Sequence, residues 1–191
     1  MIPTPTILIV PGLRDHVAEH WQTLLEDSLP NAVSVPPLER DKLNRDARVA
    51  ALDAVIARIT GSVLIVAHSA GVMITVQWAQ RHHRPIHGAL LVTPPDFETP
   101  LPAGHSSMEV LRENRWLPIP RTVLPFPSIL AASRNDPLAS FDRVAAMATK
   151  WGSRLVDLGN VGHLNPASGY GEWPQAYDLI AELTDRASAQ E

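Results

Sequence analysis

Short apolar runs rich in β-branched residues alternate along the chain with longer segments whose apolar positions recur at helical spacing. The runs cover residues 6–10, 32–35, 63–67, 88–93, 128–133 and 154–158. Most lack the polar alternation of a half-exposed strand, which predicts strands buried on both faces of a parallel sheet. Helices are predicted between them. Residues 17–29 set Trp21, Leu24, Leu25 and Leu29 on one side, and residues 46–59 open at Asp46 and repeat Val49, Leu52, Val55, Ile56 and Ile59. Residues 70–83, 141–151 and 174–187 follow the same period, with Ser140 as cap and Gly152 as stop for the fourth helix. This alternation predicts an α/β doubly wound sheet with right-handed crossovers.

One segment breaks the rhythm. Residues 94–127 hold eight prolines and no periodic element longer than two turns. Pro118, Pro120, Pro125 and Pro127 forbid a long helix there. An excursion of this length is expected to wall a pocket, with Phe97, Leu101, Trp116 and Leu117 either as apolar contacts there or simply packed on the sheet.

The length, 191 residues with 45% hydrophobic and 19% charged, predicts one globular domain over residues 1–191. The formal net charge of −4 leaves no basic stripe, so neither nucleic acid nor a membrane surface is expected as a partner. Cysteine is absent, which excludes disulfides, thiolate chemistry and cysteine-based zinc sites. The stretch Met1-Ile2-Pro3-Thr4-Pro5-Thr6 has no basic residue, and the apolar run behind it is too short for a leader or a span. A cytoplasmic protein is expected.

The chemistry points to Ala67-His68-Ser69-Ala70-Gly71, where a buried strand ends and an apolar helix begins at once. A nucleophile elbow needs small residues two before and two after its serine so that strand and helix can approach closely. Ala67 and Gly71 occupy those positions. The competing reading is a serine that only caps the helix. A serine hydroxyl needs a base, and in this fold the order is serine, acid, histidine. Asp136 lies in the loop after the fifth run and His163 in the loop after the sixth, so order and placement both fit. Asp96 is the rival acid; Asp157, within the last run, is expected in a salt bridge or solvent. His68 is expected to be structural, and His82, His83 and His87 to sit around a helix end. Oxyanion donors are expected from the backbone N–H of Ala70 and from the loop after the first strand, with Leu13 first and Arg14 second. The plain alternative for Pro11-Gly12 is a simple turn.

Several stretches together resemble one family: Ile9-Val10-Pro11-Gly12-Leu13 with His20-Trp21-Gln22, the Ser69 block, Leu124-Pro125-Phe126-Pro127-Ser128, and Ser133-Arg134-Asn135-Asp136-Pro137. Gly162-His163-Leu164-Asn165, Ser168-Gly169, Gly171 and Trp173-Pro174 complete the set. The chain is thereby similar to the YdeN and retinoblastoma-binding-protein-9 type of serine hydrolase. The resemblance implies a compact α/β-hydrolase fold with six parallel strands, a triad of Ser69, Asp136 and His163, and no metal or organic cofactor. Two positions depart from the pattern: Ala67 stands for the usual glycine, and Arg14-Asp15-His16 replace small residues, which places Arg14 at the pocket mouth. The expected reaction is cleavage of a small carboxylic ester through an acyl-enzyme. The alternatives are an amidase or peptidase with the same triad, and a non-catalytic protein-binding module on the same fold.

Overall fold

The computed structural model describes residues 4–188; the expectation concerning Met1, Ile2 and Pro3 lies outside them. Six strands pair in parallel: β1 (Thr6–Val10), β2 (Ala32–Ser34), β3 (Val63–His68), β4 (Gly88–Val92), β5 (Ser128–Ala132) and β6 (Arg154–Asp157). Their spatial order is β2-β1-β3-β4-β5-β6. The inner strands β3, β4 and β5 are buried along their whole length, which is why they read as unbroken apolar runs. The edge strands β2 and β6 tolerate polar residues because they are only partly covered.

Side chains alternate across the sheet and divide the core in two. Leu8, Val10, Ile65, Ala67, Leu91 and Leu130 face helices α2 (Arg45–Arg58), α3 (Ala70–Ala79) and α5 (Phe141–Trp151). Ile7, Ile9, Leu64, Val66, Leu90 and Ile129 face α1 (Trp21–Ser28) and α6 (Gln175–Ser188). From β1 the chain first builds outward to β2, then crosses back to place β3 on the other side of β1. That reversal opens a crevice beyond the C-terminal ends of β1 and β3, the usual ligand position in such sheets.

Helix ends differ from the periodicity for local reasons. α1 begins at Trp21 because His20 is extended and its ring nitrogen Nδ1 accepts the Gln22 N–H at 3.2 Å. α2 is capped by Asn44, whose side chain accepts from Ala47 N–H at 3.0 Å; the Asp46 carboxylate instead pairs with Arg45, Arg81 and Arg115. α3 stops at Ala79, where Arg81 and His82 N–H both turn back to the Trp78 carbonyl and the His82 ring stacks on Trp78.

The proline-rich excursion is packed rather than loose. It contains one short helix, α4 (Met108–Glu113), and buries Phe97, Leu111, Trp116, Ile119, Leu124 and Phe126 in the core. Among the described residues no helix is long and apolar enough to cross a membrane.

The tightest backbone approach joins α3 to β1. A Cβ on Gly71 would lie 2.1 Å from the Val10 carbonyl oxygen and 2.9 Å from that of Pro11. Both neighbours are main chain and cannot rotate away. Gly71→Ala is expected to cost about 3 kcal/mol, a fall in Tm on the order of 10 °C. A thermal melt matching the parent protein would contradict this packing.

Candidate active site

β3 delivers the chain into the crevice, and Ser69 makes the turn into α3 with φ 57° and ψ −129°. A side chain other than glycine in this region costs roughly 1–3 kcal/mol. Ser69 N–H donates to the Val92 carbonyl at 3.0 Å, and its own carbonyl accepts from Val72 N–H at 3.0 Å, so both flanks are held. Ser69 occupies the N-cap position yet its hydroxyl makes no cap bond. The hydroxyl oxygen lies 2.9 Å from His163 Nε2 instead.

On the other side of that imidazole, Nδ1 lies 2.8 Å from Asp136 Oδ2. The carboxylate can only accept, so the Nδ1 position carries a proton and Nε2 is left to take one from the serine. Asp136 Oδ1 is itself held by the Leu138 N–H at 2.9 Å. Side chains of the Asp136 loop fasten the His163 loop to it. Asn135 Oδ1 accepts the Gly162 N–H at 2.7 Å, and the Ser133 hydroxyl accepts the Val161 N–H at 3.3 Å. The His163 N–H donates to the Ser168 hydroxyl at 3.0 Å, which donates in turn to Asn165 Oδ1 at 2.8 Å. The block Gly162-His163-Leu164-Asn165 with Ser168 thus encodes a self-bonded loop, a role that the spacing alone left unassigned.

The rival acids lie elsewhere. Asp96 is gripped by Arg143, with Nε at 2.7 Å from Oδ2 and Nη2 at 3.1 Å from Oδ1. Burial alone would raise its carboxyl, but the Arg143 bonds, with those from Glu98 N–H and Thr99, hold it below the ordinary carboxylate range. Asp157 pairs with Arg134 near the sheet edge.

Three imidazoles line up behind the serine. The rings of His20 and His68 are 4.6 Å apart, and those of His68 and His163 are 4.9 Å apart. His68 Nε2 meets the His163 carbonyl at 2.8 Å and, since a carbonyl only accepts, donates to it. Burial, then the charge on His163, pushes His20 down to about 4. Full burial, followed by the charges of His163 and His20, drives His68 well below its ordinary value. Gln22 completes this side by donating to the Val10 and Val66 carbonyls at 3.3 and 3.0 Å.

The loop after β1 closes the crevice. A Cβ on Gly12 would stand 3.2 Å from Ser69 Cβ and 3.5 Å from its Oγ, so the loop backbone lies against the nucleophile candidate. Neither the Leu13 nor the Ala70 N–H has a hydrogen-bond partner among the described residues, and Ala70 is the first residue of α3. Arg14 is exposed. Phe97 and Trp116, expected at the pocket wall, sit in the core instead, 3% and 1% exposed with their rings 5.3 Å apart. Their aromatic area is satisfied by burial, and the Trp116 indole N–H by the Leu43 carbonyl at 2.7 Å. Among the described residues no three His, Asp or Glu side chains converge as metal ligands would.

A serine on a strained strand-to-helix turn over a parallel sheet is the arrangement of the α/β hydrolases. The chain belongs to the serine hydrolase family, whose sequence model matches residues 7–182. No curated protein matches it in sequence. A putative YdeN-like hydrolase from Pectobacterium atrosepticum superposes with TM-score 0.81 at 29% identity, over 96% of this chain and 92% of its own. The ydeN gene product of B. subtilis does so with TM-score 0.76 at 18% identity, over 95% and 100%. A thioesterase, RedJ, from the prodiginine biosynthetic pathway of Streptomyces coelicolor shares the fold with TM-score 0.62 at 17% identity, over 95% and 90%. The YdeN-type resemblance and the α/β-hydrolase fold are borne out.

The buried imidazoles set an acid limit on stability. Folded His20 and His68 are neutral, whereas in the unfolded chain each takes a proton below about 6.5. The unfolded state then binds more protons, so stability falls as pH drops from about 6.5 towards about 4. His20→Asn keeps a cap oxygen and is expected to flatten part of that fall in Tm against pH. An unchanged slope would contradict a neutral, half-buried His20.

Proposed function

We propose that this serine hydrolase cleaves a small carboxylic ester by acyl transfer to Ser69, with His163 as base and Asp136 as the acid that orients it. The observation that carries the reading is the unbroken chain Asp136–His163–Ser69, with contacts of 2.8 and 2.9 Å, ending on a hydroxyl that makes no cap bond.

His163 Nε2 takes the Ser69 proton as Oγ attacks the carbonyl carbon. The tetrahedral oxyanion forms at the positive end of α3 and is met by the Ala70 and Leu13 N–H groups, each contributing about 3 kcal/mol to the transition state. His163 then protonates the leaving alcohol, and the acyl group stays on Ser69. Water enters, gives a proton to His163 and attacks the acyl carbon; as the Oγ–acyl bond breaks, His163 returns that proton to Ser69 Oγ and the carboxylic acid leaves. Asp136 keeps the imidazole in the required tautomer and stabilises its charged form. The strained backbone at Ser69 supports this role, because it aims Oγ away from the helix it precedes.

Ser69→Ala is expected to lower turnover of p-nitrophenyl esters by about a million-fold while the Tm stays within a few degrees. Asp136→Asn is expected to lower it by roughly ten-thousand-fold. A Ser69→Ala protein that keeps its activity would end this reading. Matched ester and amide substrates then separate an esterase from an amidase.

A further inference from the structure

The loop after β1 is held from outside the Ser69–His163–Asp136 constellation. Arg48, on α2, has a side chain only 5% exposed. Its Nε donates to the Lys42 carbonyl at 2.7 Å, its Nη2 to the Leu13 carbonyl at 3.3 Å, and its Nη1 to the Asp15 carboxylate. Two of these three acceptors belong to the stretch between Gly12 and Asp15. Asp15 has φ 57°, and its N–H returns to the Gly12 carbonyl at 3.1 Å, closing a tight turn over Leu13 and Arg14. The other end of that turn is Gly12, whose Cβ position is 3.2 Å from Ser69 Cβ. One guanidinium is therefore linked through a four-residue turn to the backbone beside the hydroxyl.

A buried ion pair is a weak stabiliser, because its desolvation offsets most of its attraction. Its geometric effect is stronger. The turn contains a glycine and a residue with positive φ, and Arg14 within it is exposed, so its Leu13 peptide is fixed by the Arg48 bonds and by the partly buried Leu13 side chain against the core. A donor aimed at a developing oxyanion helps only if it is in place before the charge forms. Resting on the reading of Ser69 as nucleophile and Leu13 N–H as oxyanion donor, we propose that Arg48, paired with Asp15, is a positioning residue that locks the oxyanion loop. Asp15 belongs to the Arg14-Asp15-His16 stretch at the end of this turn, where its two neighbours are exposed. Its carboxylate serves the loop from within, while Arg14 faces solvent.

The test compares the parent protein with Arg48→Lys, Asp15→Asn and Ser69→Ala, using fluorophosphonate labelling rates and p-nitrophenyl acetate kinetics. Arg48→Lys keeps a cation against Asp15 but cannot reach three acceptors at once. Asp15→Asn leaves the other two Arg48 bonds available and decides the matter if Arg48→Lys does not fold. Labelling and kcat are expected to fall roughly tenfold or more in both variants, with KM within about twofold. The midpoint of the pH–kcat profile should stay put, since His163 and Asp136 are untouched. A purely structural role would lower Tm and leave kcat per folded molecule unchanged. A folded variant that labels and turns over at the parent rate overturns the proposal. A parent protein that is not labelled at Ser69 overturns the nucleophile reading itself, and the positioning role with it.

Discussion

Helix α3 meets the end of β1 with no side chain between them, and the site's geometry depends on that contact. Because the Gly71 Cα faces the Val10 and Pro11 carbonyls, the chain must turn from β3 into α3 within a single residue. That residue is Ser69, and the sharpness of the turn is recorded in its φ of 57°. The strain is affordable because a fully buried strand lies before it and a fully buried helix after it. The same contact brings the loop after β1 against Ser69, so Ser69 and the Gly12–Leu13 backbone are placed by one packing event.

Around this centre the loops are bonded to each other. The Asp136 loop holds the His163 loop through Asn135 and Ser133, and the His163 loop holds itself through Ser168 and Asn165. The excursion after β4 is bonded to the acid loop by the Asp96 N–H on the Leu138 carbonyl at 2.9 Å, while Arg143 anchors the Asp96 carboxylate. His68 supports the base from behind through the His163 carbonyl. Each interaction is modest, but together they leave His163 little freedom to rotate away from Ser69, the kind of preorganisation the proposed acyl transfer requires.

Much of this was legible in the chain itself. Buried parallel strands write themselves as continuous apolar runs, so β1, β3, β4 and β5 are legible directly, and the shorter edge strands β2 and β6 are legible from their β-branched residues between helical segments. The elbow was legible because strand, small residues and helix must be contiguous. Helix starts were less so: His20 and Asn44 cap α1 and α2 by hydrogen bonds that apolar spacing does not encode. For Phe97 and Trp116, a segment without periodicity gives no face to assign, so pocket wall and packed core are both open in the sequence, and burial takes both rings inward. The Arg48–Asp15 pair spans 33 positions and exists only once α2 has packed beside the loop. Nothing in the local pattern around either residue marks it.

The most direct measurement is a crystal structure of the protein after reaction with a fluorophosphonate. The account expects phosphorus bonded to Oγ of residue 69, its free oxygen within hydrogen-bonding distance of the backbone N–H groups of residues 13 and 70, and the residue 163 imidazole still beside Oγ. An adduct on any other side chain, or a phosphonyl oxygen turned towards solvent, would contradict it.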